Sequence, residues 1–288
     1  MLLYIFEIAI PASPVSTNAM QVLPSKELQP YIRHYLFLKS EGDHVKKLRL
    51  FSDGSMAMVL CLKGTLIDTG TKKSLPGSFV YGQINAFRDL CLMHEASFII
   101  VVFQPDGACK LLGVPAHELT DKVIVLQDIF NSHDLRLCTR AMNLIKPEDQ
   151  LNTLNTFFKK LIAGNLLSNQ MLVHASLAFI TKSKGLATIK ELVEHTGYSE
   201  RHLERAFKEG VGISPKKFAG IVKLHSFLRM LKSKTDHSNI TAMCYDAGYF
   251  DQSHLIKEFR KYTGITPTEY VQDTDRLAIN FMQLNVSD

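Results

Sequence analysis

The last third of this 288-residue chain contains the same pattern twice, and that duplication constrains the fold more than any other feature. Leu203, Phe207, Gly212, Pro215 and Phe218 recur as Leu255, Phe259, Gly264, Pro267 and Tyr270, each 52 positions later. Upstream, the segment 188–198 returns as 239–249 at an offset of 51, so the second copy carries one extra residue between the two blocks. Each copy spells a helix, a glycine turn and a second helix. Thr188 with Glu191 forms a capping box that starts the first helix. Gly197 and Gly248 supply the positive φ that ends it. Ser214-Pro215 and Thr266-Pro267 each place an N-cap before a proline at the first helical position, and Glu269 completes a second box with Thr266. The spacing predicts two helix-turn-helix units, at about 188–210 and 240–262.

Within each second helix the faces separate. Leu203 and Phe207 lie four apart and turn inward, as do Leu255 and Phe259. Arg201, Arg205 and Lys208 fall on one outward stripe, and Ser253, Lys257 and Arg260 or Lys261 do the same in the second copy with Gln252 alongside. A single basic stripe is ordinarily a solvated helix face. Two copies with matched cores, caps and turns point to DNA, with Arg suited to guanine, Gln to adenine and the outer lysines to phosphates. The residues between the units, Pro215 to Lys232, read as one helix about 27 Å long. That is close to the rise of one duplex turn, about 34 Å. One chain can thus offer recognition helices to successive major grooves, with some bending of the DNA.

At these residues the chain resembles the C-terminal domain of the AraC/XylS family of bacterial transcription regulators. The resemblance covers roughly 170–273 and is most specific over Ala247 to Pro267, which reads AGYFDQSHLIKEFRKYTGITP. It implies seven helices, with base-reading positions at Arg201, Glu204 and Arg205 in the first unit and at Gln252, Ser253 and Lys257 in the second. Backbone contacts are expected from Ser199, Lys208, Lys216, Lys217, Asp251, His254, Arg260 and Lys261. The second unit has Lys257 where the family commonly has arginine, which removes a bidentate fork. The first unit is therefore expected to set most of the sequence preference, and the second to add affinity and register. Val193 and Cys244 stand where a small alanine is usual. RNA polymerase is the partner, and activation the mode, that the resemblance implies.

Residues 21–128 read mainly as strands and turns. Leu48 to Phe51, Ser55 to Leu62, Ser78 to Tyr81 and Ala96 to Phe103 are β-rich runs between glycine-containing turns. A helix is expected at Ser25 to Leu36 and another from Ala108 to Leu112. Further on, Leu151, Leu154, Phe157, Phe158, Leu161 and Ile162 form an apolar helical stripe that packs within the chain or on a second subunit. The runs Leu23 to Tyr35, Phe51 to Ser55, Tyr81 to Gln83 and Phe103 to Asp121 resemble the N-terminal domain of an uncharacterised branch of the same family, which implies a cupin-like barrel but no ligand. The fold class is α+β multidomain, a β-rich cupin-like barrel with flanking helices followed by an all-α tandem helix-turn-helix domain. The expected boundaries are 1–19 as an N-terminal extension, with Met20 as a candidate start, 20–130 as the sensor or dimerisation domain, 131–170 as a helical linker region, 171–273 as the DNA-binding domain and 274–288 as a tail.

The charge distribution agrees. Residues 171–270 hold fifteen Lys and Arg against ten Asp and Glu, so the whole net charge of +5 lies there. Cys61, Cys91, Cys109, Cys138 and Cys244 are scattered and form no CxxC, which suggests neither disulfides nor zinc and fits a bacterial cytoplasm, at the nucleoid. No run approaches a membrane span. His94-Glu95 is an adjacent pair of metal-ligating residues on a β-rich run, no His-x-His accompanies it, and it reads as a strand-surface pair. No phosphate loop or nucleophile elbow is present, so no enzyme, cofactor or metal is expected. Two readings of the first domain remain open. It senses a small-molecule effector inside the barrel, or it forms a homodimer or binds a protein partner through the helix at 151–162, with no effector. An enzyme domain fused to a DNA-binding tail is the remote third, and no residues nominate it.

Overall fold

The computed structural model describes residues 17–42, 45–164, 171–233, 240–272 and 274–284. Residues 1–16 of the expected extension, 165–170 of the expected linker, Asn239 of the repeat and 285–288 of the expected tail lie outside them.

The first domain opens with β1 (Thr17–Val22), β2 (Ile32–Ser40), β3 (Lys46–Leu50), β4 (Ala57–Asp68), β5 (Lys73–Ser74), β6 (Ser78–Tyr81) and β7 (Arg88–Phe103). It continues through α1 (Gly107–Leu112), α2 (Ala116–Leu119), β8 (Val123–Val125), α3 (Ser132–Met142) and α4 (Pro147–Gly164). The sixteen-residue β7 organises the sheet. One edge pairs with β4 from end to end, while the other pairs first with β3 through Arg88 to Leu92 and then with β2 through Ala96 to Phe103. The sheet folds where β7 changes partner. His94 takes φ 60° there, and opposite it Gly64 takes φ 91° with Ala96 so close that an added Cβ would lie 2.7 Å from the alanine methyl.

Both faces of the folded sheet are buried, which explains the unbroken apolar run of β7. Val59, Leu66, Leu90, Leu92 and Phe98 point into the fold, where Leu36 and Leu38 meet them. Met58, Leu60, Ile99, Val101 and Phe103 point out and are covered by α1, α3 and α4. The expected closed barrel does not form. The strand order β8-β6-β4-β7-β3 continues into further strands without returning to β8, so among the described residues the sheet is curled and open.

Three further expectations need correction. The helix expected at Ser25 to Leu36 is a single 3-10 turn, Lys26–Leu28, followed by strand β2. Pro30 cannot continue a helix, and beyond it Ile32, Tyr35, Leu36 and Leu38 are buried on the two faces of a doubly covered strand. Residues 131–164 are not a linker. α3 and α4 give Cys138, Ala141, Leu154, Phe157 and Phe158 to the first core, with Phe157 and Phe158 edge-on at 4.9 Å between ring centroids. The apolar stripe of α4 is therefore used within the chain.

The second domain comprises α5 (Met171–Lys182), α6 (Ile189–Thr196), α7 (Glu200–Gly210), α8 (Pro215–Ser233), α9 (Ile240–Asp246), α10 (Gln252–Thr263) and α11 (Pro267–Gln272), the seven helices that the resemblance implies. Leu203, Phe207, Phe227, Leu255 and Phe259 are fully buried. Phe227 and Tyr270 both meet the Phe259 ring edge-on, with centroids 6.0 and 5.9 Å away.

The expected tail is the third correction. Residues 274–284 form a hairpin of β9 (Thr274–Ala278) and β10 (Phe281–Leu284), and β10 joins the first domain's sheet by pairing Phe281 with Leu50, Met282 with Arg49 and Gln283 with Leu48. Its alternation supplies the reason, since Phe281 and Met282 turn to opposite faces and both are buried, Met282 in the helix-turn-helix core.

Candidate functional site

Local sequence fixes where the second helix of each helix-turn-helix unit begins. Thr188 Oγ1 accepts from the Glu191 amide at 3.2 Å, and the Glu191 carboxylate accepts from the Thr188 amide at 2.8 Å, so the capping box is present. Gly197 ends α6 at φ 73°, in the left-handed region that the turn requires. Ser199 then caps α7, its hydroxyl accepting from the His202 amide. In the second unit Gly248 takes φ 77° and Asp251 caps α10, accepting from the His254 amide at 2.7 Å.

From these starts Arg201, Arg205 and Lys208 stand exposed along α7, with Glu204 half-buried beside them. Along α10, Gln252, Ser253, His254, Lys257, Arg260 and Lys261 are exposed. Arg201, Arg205 and Lys208 share one helix surface opposite the buried Leu203 and Phe207, and Ser253, Lys257, Arg260 and Lys261 share one opposite Leu255 and Phe259, with Gln252 in the first turn of α10 on the flank nearer the core. Between them α8 runs nineteen residues, about 28 Å, as one uninterrupted helix. Lys216, at its start, is exposed.

Three of the expected backbone-contact residues have other work. The side chains of Ser199 and Asp251 are engaged as caps. Lys217 is half-buried and donates to Asn85 of the first domain, and burial depresses its pKa. His254 keeps an exposed ring, set edge-on to Tyr249 at 5.7 Å.

The helices are docked on the first domain, and sequence reasoning missed this docking. Thr120, just after α2, donates to the Gly212 carbonyl at 2.9 Å beside the C-terminus of α7. Arg49 of β3 grips Asp89 with two bonds of 2.6 and 2.7 Å, donates to the Thr263 carbonyl at 3.3 Å and lies over the Phe87 ring. His225 of α8 meets the Ser52 carbonyl at 2.9 Å, and burial pushes its imidazole down to about 4. Phe51 sits in the helix-turn-helix core, and Gly54 backs onto the Phe218 ring, 2.7 Å from where a Cβ would stand. None of these pairs follows a sequence period, so no local signal could have found them.

Other candidate chemistry is sparse. All five cysteines are free, with Cys109, Cys138 and Cys244 buried and Cys61 and Cys91 half-buried. His94 and Glu95 are exposed, and Glu95 pairs with Lys63. No group of three or more metal-ligating side chains occurs among the described residues. No helix among them is long and apolar enough to cross a membrane.

Two families match the chain. Residues 20–125 match a domain of unknown function, DUF6597, and residues 192–273 match a helix-turn-helix domain. An uncharacterized HTH-type transcriptional regulator of Haemophilus influenzae is 27% identical over 104 residues, 36% of this chain and 34% of that protein, so the chain spans about a third of this curated relative. Among solved structures, ToxT from Vibrio cholerae aligns with 82% of this chain and 97% of its own, at 11% identity and a TM-score of 0.45. A probable AraC family transcriptional regulator from Rhodopseudomonas palustris aligns with 35% of this chain and 94% of its own, at 27% identity and a TM-score of 0.32. The chain thus has a C-terminal helix-turn-helix domain, similar to part of an HTH-type transcriptional regulator, preceded by a domain of the DUF6597 type.

Proposed function

We propose that the protein is a sequence-specific DNA-binding transcription regulator that sets α7 and α10 into successive major grooves. One observation carries this reading. Two capped helices with buried cores present exposed polar and basic faces, joined by a rigid helix of about one duplex turn. Arg201, Glu204 and Arg205 read bases in the first groove, and Gln252, Ser253 and Lys257 in the second. Lys208, Lys216, Arg260 and Lys261 supply phosphate contacts. The first unit, with two arginine forks, sets most of the preference. Activation through RNA polymerase, in the bacterial cytoplasm, is the mode that the resemblance to AraC/XylS regulators favours.

The first domain acts as an effector-sensing control element. An apolar cavity in the fold of its sheet supports this reading over a dimerisation-only role. The α4 stripe that such a role would use is already buried at Leu154, Phe157 and Phe158.

Selection of bound sequences from random DNA with the full chain tests the assignment, and a bipartite site with half-sites one helical turn apart is expected. Arg205→Ala should relax preference at one base position by about 1–3 kcal/mol, while Lys208→Ala should weaken all sites alike and lower the salt slope by about one. Equal loss on selected and random DNA for Arg205→Ala would show that α7 does not read bases.

A further inference from the structure

The cavity lies inside the folded sheet and has a volume of about 80 Å³. One water needs roughly 10–15 Å³ by the same measure, so the space admits a small organic molecule. Its walls are mostly apolar, with Leu36, Leu66, Phe79, Leu90, Phe98 and Phe281 among them. Its charged groups are already committed. Asp53 pairs with Arg33 at 2.7 Å and accepts from the Ser55 amide at 3.0 Å. Asp68 pairs with Arg88 at 3.2 Å and accepts from the Thr71 amide at 2.9 Å, and Arg88 also donates to the Asp121 carbonyl at 2.8 Å. The lining thus holds two carboxylates and one cation, itself spoken for, and contains no lysine.

Two polar side chains of the lining are uncommitted. His34 and Tyr81 have no hydrogen-bond partner among the described residues. Burial depresses the imidazole to about 4 and raises the phenol, so both are neutral near pH 7. Both are half-buried and face the cavity, where a ligand's hydroxyl, carbonyl or amide would satisfy them. A ligand anion would instead face Asp53 and Asp68 with no free cation to offset its desolvation.

Two cavity walls also belong to the docking of the second domain. Leu50 and Asp53 line the cavity, whereas Phe51 lies in the helix-turn-helix core and the Ser52 carbonyl meets His225. Ala278, Asn280 and Phe281, from the hairpin that follows α11, line it as well. The two segments are tied to each other, for the Phe51 amide donates to the Asn280 carbonyl and the Asn280 side-chain amide donates to the Phe51 carbonyl, both at 3.0 Å.

We propose that this cavity binds a neutral, largely apolar molecule with one hydrogen-bonding group, and that the Phe51–Gly54 segment and the Ala278–Phe281 turn transmit its occupancy to the two recognition helices. The proposal rests on the effector-sensing reading of the first domain and adds to it the ligand's chemistry and the route. A ligand can shift DNA binding only through contacts that differ between the two states, and these segments are where such contacts would differ.

The test uses the full chain and a matched pair of probes, 2-naphthol and 2-naphthoate, at pH 7.5. By calorimetry 2-naphthol should bind at least about tenfold more tightly than 2-naphthoate, and Leu66→Trp, which fills the cavity, should abolish binding. Saturating 2-naphthol should change affinity for the selected DNA site by about threefold or more and alter amide exchange at 278–281. His225→Phe, outside the cavity, should keep 2-naphthol affinity and lose the effect on DNA. Should that variant fail to fold, amide exchange in the wild-type chain still reads the coupling. Tighter binding of the carboxylate, binding that survives Leu66→Trp, or binding of neither probe would overturn the ligand assignment. Binding of 2-naphthol with no change in DNA affinity or in exchange at 278–281 would overturn the route. The calorimetric arm needs no DNA, so failure of the DNA-reading function would appear separately, as a chain that binds 2-naphthol but selects no sequence.

Discussion

His34 and His225 occupy different domains yet share electrostatic neighbours, since Asp53 and Arg33 act on both imidazoles. Burial is the larger effect and holds both near about 4, below the ordinary 6.5. In the unfolded chain each ring takes up a proton as pH falls through 6.5, while the folded chain resists until about 4. The unfolded state therefore binds more protons in that window, and stability is lost as pH drops from 6.5 toward 4. Each buried ring should contribute about 3 kcal/mol to that loss. Urea denaturation across pH 7.5 to 4 measures it. His225→Gln, whose amide can still donate to the Ser52 carbonyl but cannot titrate, should give a curve flatter by about one proton, and an unchanged slope would show that His225 is not held neutral. The exposed stripe of Arg201, Arg205 and Lys208 was legible from helical spacing because these residues face solvent and depend on nothing but their own helix, whereas Glu204 entered only through the family resemblance. His225 and Arg49 were not legible, because their roles come from partners 173 and 40 or more positions away.

The caps show where local chemistry decides an element. Thr188 and Asp251 each satisfy an amide that would otherwise lack a partner at a helix start, so Thr188→Ala or Asp251→Ala should lower stability by about 1 kcal/mol. Asp251→Ala also separates two roles, because a capping side chain changes the denaturation midpoint but leaves the salt slope of DNA binding unaltered. Six of the seven helices of the second domain were legible for this reason, as capping boxes, glycine turns and apolar spacing lie within a few residues of one another, while α5 came only with the seven-helix set that the resemblance implied. The first domain was read less well. β2 resembled a helix because a strand buried on both faces shows no alternation, and its partner β7 is some sixty residues away. The hairpin after α11 was invisible as sheet because its pairing partner, β3, lies at the other end of the chain. The stripe of α4 was legible as a helix but its destination was not. Phe158, fully buried and edge-on to Phe103 with centroids 6.1 Å apart, now fixes that destination, and Phe158→Ala should cost the first domain about 3–5 kcal/mol.

At the scale of the molecule, the helix-turn-helix domain is attached to the sheet domain at both of its ends. The first unit is held where Thr120 meets Gly212, and the second where Arg49 reaches Thr263 and β10 enters the sheet beside β3. Gly212 at φ 89° and Gly264 at φ 76° both lie at these contacts, with Thr120 and Ala116 packed against one and Phe87 and Arg49 against the other. Such an arrangement makes the orientation of α7 and α10 a property of the whole chain rather than of a free module on a tether. Arg49→Ala tests it at one point. The substitution removes a bidentate ion pair, a bond to the Thr263 carbonyl and a ring contact together, and should lower stability by about 2–4 kcal/mol. Its more telling effect is spatial. Amides of α10 and α11 should exchange faster while those of α6 and α7, held through Thr120, keep their protection, because local opening follows the contacts that are lost. Uniform acceleration across the second domain would mean that the domain docks as one rigid block and that Arg49 has no particular hold on the second recognition helix.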